Sequence, residues 1–302
     1  MASGTPLLPA ERAFYTTQTA TSDAGDLAKW LDAVPSDPAG VVRLVSGLVV
    51  HPVALARGKT SHPQLAERDA EVRSVRDLLR RLLERDAAAL DVARPVERRL
   101  VGTCRHYALL AASIFRHHGI PARLRVGFAR YFVPGFHEDH WVCEYHDNGW
   151  RLLDAELGED AVAEHYAIDF SPTDVPRDRF LTAGEVWRGV RRREIADASC
   201  GVSFVPAVRG AWFVGASILR DLAALNGREL LPWDYWGLAR DFHPGTIIAP
   251  ANAARLDQVA EVLAGSTPDF DALRALFEGA DDLRVPARVL SFPAGTPVEV
   301  AV

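Results

Sequence analysis

Three residues in the middle of this 302-residue chain have the types and spacing for nucleophilic chemistry: Cys104, His140 and Asp154. A thiol attacks a carbonyl carbon only as thiolate, and the free N–H groups and positive dipole end of a helix favour that form. Cys104 stands where the sequence starts a helix, and the same N–H groups would help to hold the oxyanion formed by its attack. A base is still required. His140 and Asp154 lie at equal distances on either side of Asp147, so a hairpin loop centred on Asp147 sets imidazole and carboxylate opposite each other. An Asp beside an imidazole fixes its tautomer and stabilises the imidazolium.

Those side chains need elements to hold them. In VGTCRHYALLAASIFRHHGIPAR, Thr103 is a capping residue, Tyr107, Leu110, Ala111, Ile114 and Phe115 form an apolar stripe, and Gly119 before Pro121 is a stop. Leu124, Val126 and Phe128 then alternate with Arg123, Arg125 and Gly127, which is strand periodicity. HWVCEYH and WRLLDA are two further strand-like runs around the turn signal Asp147-Asn148-Gly149. Upstream the chain reads as helical. Asp23 caps a segment through Trp30 and Leu31, Asp37-Pro38 starts another, and Glu67 to Asp86 repeats Val72, Val75, Leu78, Leu79, Leu82 and Leu83 at three- and four-residue steps. Downstream, DFSPTDVPRDRF is irregular; helices are expected around Glu185–Arg193, Ala216–Leu225 and Leu256–Phe277, with a terminal strand in Val285–Val302. The expected fold class is α+β: an N-terminal helical region over residues 1–95, a catalytic core over 96–200 with the Cys104 helix packed on a mostly antiparallel sheet, and a mainly helical region over 201–302, integrated as one domain.

The order of helix-borne Cys, then His, then Asp on successive strands resembles the transglutaminase-like superfamily, a papain-like group that includes uncharacterised bacterial members. GTCRHYALLAASIFRHHGIPARLRVGF is similar to that family's Gly-x-Cys helix followed by Gly-Ile-Pro-Ala-Arg and a strand, and DHWVCEYHDNGWRLLDAEL to its His strand, Gly-Trp turn and Asp. The resemblance implies Cys104 as nucleophile, His140 as its base and Asp154 as the orienting carboxylate. It further implies cleavage or exchange of an amide or thioester through an acyl-enzyme, with no metal and no cofactor. A small molecule, a peptide or a carrier-bound acyl group is the expected substrate. One departure stands out: the family's His-Ala-Trp is His140-Trp141 here. His106, His137 and Trp141 are further candidates to border the substrate, although His106 lies about 200° round the helix from Cys104.

Two other readings remain open. The same fold without activity would be a binding or scaffold protein, and Cys104, His106, His137 and His140 taken as thiolate and imidazole ligands would suit zinc, although their spacing fits no compact zinc motif. Cys143 is expected as a core thiol, Cys200 has no motif around it, and the basic cluster of Arg188 and Arg191–Arg193 is expected as a solvated helix face. Lys and Arg number 34 against 40 Asp and Glu, which disfavours holding a polyanion such as nucleic acid by bulk charge. The most apolar run, Val41 to Ala56, is broken by Arg43 and His51, so no membrane span is expected. MASGTPLLPAERAF has no basic leader region, and three cysteines make no disulfide framework, so a cytoplasmic protein with free thiols is expected.

Overall fold

The computed structural model describes residues 6–57 and 69–302. It falls into two compact units, Met1–Leu124 with Val142–Pro176 and Arg125–Trp141 with Arg177–Val302.

The first unit is built mainly of helices: α1 (Pro9–Thr16), α2 (Pro38–Leu48), α3 (Pro52–Arg57), α4 (Val75–Arg85), α5 (Cys104–His117) and α6 (Asp160–His165). Local chemistry sets their starts. Asp37 caps α2 by accepting from the Gly40 N–H at 2.8 Å, with Pro38 pre-set at the first helical position. The segment after Asp23 is a 3-10 helix, Gly25–Leu31, and Asp23 accepts from the Gly25 N–H. Ser74 caps α4 through the Asp77 N–H, and the Val75 N–H donates to Thr21 O, so this helix begins later than the apolar repeat suggested and leaves Val72 outside it. Glu67, where that repeat was expected to start, lies outside the described residues. A short parallel pair, β1 (Val49–Val50) with β2 (Leu100–Val101), leads into α5.

The sheet comprises β3 (Ala122–Ala129), β4 (His137–His146), β5 (Trp150–Leu153), β6 (Phe180–Thr182) and β7 (Cys200–Gly201), in hydrogen-bonded order β5-β4-β3-β6 with β7 beside β4. β4–β5 and β3–β6 are antiparallel, and β4–β7 is parallel. The alternation of arginines and apolar residues along β3 marks no wet face, because all eight residues are buried. Each arginine has a carboxylate instead: Arg123 donates to Glu144 at 2.7 Å, and Arg125 forks onto Asp221 through Nε and Nη2 at 3.1 and 2.9 Å. Gly127 is required by contact: a Cβ there would lie 2.2 Å from Leu181 O on β6.

The β4–β5 turn sits one residue later than expected. Its loop is Asp147–Gly149, with Asn148 at φ 52° and Gly149 at φ 144°, both conformations that Asn and Gly tolerate. His146 therefore pairs with Trp150 and Cys143 with Leu153. Continued by one step, that register sets Asp154 across from Val142 and not from His140.

The second unit packs α7 (Ala183–Arg191), α8 (Ala211–Leu225), α9 (Pro250–Val262) and α10 (Phe270–Glu278) around a core that includes Trp187, Phe213, Trp236 and Leu256. The expected terminal strand is an antiparallel hairpin, β9 (Arg288–Ser291) with β10 (Val298–Ala301), extended by β8 (Asp234–Tyr235).

Candidate active site

Cys104 is the first residue of α5 and keeps 7% exposure. Thr103 before it is extended, and a set of long-range bonds fixes the approach. The Gly102 N–H donates to Val50 O and the Val101 N–H to the Asp69 carboxylate, both at 3.0 Å. Arg81 and Arg85 clamp that carboxylate; burial opposes its ionisation, but the Arg85 hydrogen bond and its other partners outweigh burial and hold it below the usual range. Gly102 is there because His106 approaches so closely: a Cβ would lie 2.9 Å from His106 Cβ and 3.0 Å from Val49 Cγ1.

His106 has no exposed surface. The Thr103 N–H, which can only donate, points at its Nδ1 at 3.0 Å, so the ring proton is on Nε2 and donates to Val72 O at 3.0 Å. Burial first, and the neighbouring Arg105 charge second, push its pKa down to about 3. Arg105 reaches the same strip of backbone, Nη2 bonding Arg73 O at 2.7 Å and Nη1 Val72 O at 3.3 Å. The Arg105-His106 pair is thus a staple between the first turn of α5 and the segment that precedes α4, and the expectation that His106 borders substrate gives way to that role. Its signal in the sequence is the three-residue step from Thr103, a capping pattern with His in the usual place of Glu or Gln.

Asp154 directly follows β5 and is 2% exposed. Its N–H donates to Pro172 O, and its Oδ1 accepts from the Glu156 N–H at 3.0 Å, opening a 3-10 turn, Ala155–Gly158, that packs on α2 and α5. Tyr107, one turn along α5 from Cys104, donates to Val49 O at 3.0 Å. Burial raises its phenol well above the usual value, and Asp154 is among the carboxylates that add to this. Asp154 and the Cys104 helix are therefore brought together within the first unit.

His140 lies in β4, 2% exposed, two residues before Val142. Aromatic edges surround its ring: Phe132 at 4.9 Å, Tyr131 at 6.0 Å and Phe180 at 6.5 Å between centroids. The sequence reading missed this box, whose one signal is Tyr131-Phe132 directly after a strand. Trp141 is 1% exposed and its indole N–H meets no acceptor. His137 starts β4 opposite Cys200, half-buried, its pKa lowered by burial and then by Arg130. Cys143 is buried as expected and Cys200 is buried too, burial raising the first thiol far above its usual pKa and the second to about 12. Among the described residues no three His, Cys, Asp or Glu side chains gather as a metal site.

A thiol at a helix start, a buried imidazole and a buried carboxylate on successive elements invite comparison with known proteins. No curated protein matches the chain. A solved structure, a candidate cysteine protease from Cytophaga hutchinsonii, aligns at 16% identity with a TM-score of 0.35, over 60% of this chain and 49% of that one, so this chain spans about half its length. The family match is more telling: it covers residues 54–155, from α3 to the residue after Asp154. Residues 54–155 match the model of the transglutaminase-like superfamily.

Proposed function

We propose that this chain is a thiol-dependent acyl-transfer enzyme acting on an amide or thioester, with Cys104, His140 and Asp154 as its working residues. One observation carries the reading: within the family-matched segment, the first residue of a 14-residue helix is a cysteine whose neighbours Val101, Gly102, Arg105 and His106 are each held by long-range bonds. His140 takes the Sγ proton as the thiolate adds to the carbonyl carbon. The tetrahedral adduct collapses, the C–N or C–S bond breaks, and His140 returns the proton to the leaving amine or thiol. Water then adds to the acyl-enzyme, losing a proton to His140, and its collapse releases acid and the Cys104 thiol; an amine in place of water gives a new amide. Asp154 orients His140 and stabilises its charged form. Hydrolysis is the preferred outcome, on a small molecule, a peptide or a carrier-bound acyl group.

The low exposure of Cys104 and His140 favours a second reading, a binding protein that keeps the fold with a closed cleft. Iodoacetamide labelling read by peptide mass separates the two. Under the enzymatic reading Cys104 labels at least tenfold faster than Cys143 and Cys200, at a pH well below the roughly 8.5 of a free thiol, and His140→Ala removes the advantage. Equal labelling of the three thiols, indifferent to His140, rejects it.

A further inference from the structure

Among the described residues, the buried arginines have acceptors, with one exception. Arg123 and Arg125 hold carboxylates, Arg94 and Arg105 hold backbone carbonyls, and Arg116 holds a carbonyl and a hydroxyl. Arg220 on α8 is 2% exposed, yet its Nε and Nη2 are buried without a hydrogen-bond partner. Its guanidinium lies over the Tyr235 ring at 4.6 Å and near Phe213 at 5.7 Å, contacts that give its N–H donors no acceptor oxygen. That edge is the fork Arg125 uses to grip Asp221, two bonds from Nε and Nη2 to one carboxylate. A buried cation without an acceptor is destabilising, and functional sites are where such costs persist.

We propose that Arg220 anchors a carboxylate-binding site, its Nε and Nη2 donating to the two oxygens of a carboxylate on a small acid or a peptide C-terminus. The inference goes beyond the acyl-transfer reading and stands without it. Asp139 sits within the electrostatic reach of Arg220 without pairing to it. Only partly covered at the surface but crowded by protein, it loses enough hydration to push its carboxyl up to about 7, against the pull of Arg220 and with Glu138 adding to the rise. Beside such a group a carboxylate, a monoanion, adds less negative charge than a phosphate dianion would.

The test is thermal melting of the full chain at pH 7.5 and fixed ionic strength, with acetate, acetamide or chloride added, in wild type, Arg220→Met and Cys104→Ser. Acetate is expected to raise the wild-type Tm saturably by about 2 °C or more beyond the other two, and to do the same in Cys104→Ser. Arg220→Met is expected to lose that increment while melting, without ligand, at or above the wild-type temperature, since a buried unpaired charge is removed. An acetate response equal in wild type and Arg220→Met overturns the site, as does a ligand-free Arg220→Met melting several degrees lower, which would make Arg220 a packing residue. An N-acetylated peptide with a free rather than amidated C-terminus then tells the two sources apart: a shift with the free acid assigns the peptide end, and a shift with acetate alone assigns a small acid. Cys104→Ser keeps the result independent of whether Cys104 is reactive.

Discussion

At the scale of residues, the imidazoles show how position overrides type. His106 and His140 are both fully enclosed, but His106 is bonded at each nitrogen to backbone, while His140 is ringed by aromatic edges. The consequence for His106 is a pH dependence with a definite sign. Its folded pKa near 3 lies below the 6.5 of the unfolded chain, so between those values the unfolded state takes up a proton that the fold refuses. The stability linked to His106 is complete above about pH 6.5 and declines as pH falls toward 3, by about 2–3 kcal/mol at pH 4.5. Urea titrations at pH 7.5 and 4.5 should show that loss in wild type, and a smaller one in His106→Gln, which starts from a lower stability at pH 7.5 for want of both ring bonds.

At the scale of elements, register and close approach decide more than propensity does. The three-residue Asp147–Gly149 loop lies one residue beyond a loop centred on Asp147, which moves the cross-strand partner of every residue on β4 and β5 by two positions. On the other side of the sheet, β3 meets β6 at Gly127 with no room for a methyl group. Gly127→Ala forces Leu181 and Phe180 to move, and should cost about 1–3 kcal/mol. In denaturant this reads as a lower midpoint with an unchanged m value; an unchanged midpoint would show that β6 gives way freely.

At the scale of the whole molecule, charges buried in the fold, Arg220 apart, are paired there. Arg125 and Asp221 are both buried, 96 residues apart in sequence, and Asp221 also accepts from the Val126 N–H at 2.8 Å. Arg125→Met strands a buried carboxylate and should cost about 3–5 kcal/mol. Adding Asp221→Asn keeps an acceptor for Val126 and removes the stranded charge, so the double variant should recover most of the loss; additive losses would mean that the pair does not interact. No described helix is long and apolar enough to cross a membrane.

Local chemistry was legible in the sequence by itself. Asp37 before Pro38, Thr103 before Cys104 and the Asn148-Gly149 turn act over three or four residues, and the alternation that marks β3 needs only backbone geometry. The transglutaminase-like segment was legible for the same reason, since its motif is compact, and so was the order of Cys104, His140 and Asp154. Tertiary structure alone decided what those residues meet. That His106 closes against Val72, that Asp69 holds the Val101 N–H and that Arg123 and Arg125 are dry rest on contacts 21 to 96 residues apart. Such pairs leave no periodic trace, because burying a charge or an imidazole depends on the partner the folded chain delivers and not on its neighbours in sequence. Arg220 is the sharpest case: its sequence neighbours read as an ordinary helix, and only the fold sets its cation beside two rings and buries its Nε and Nη2 without an acceptor.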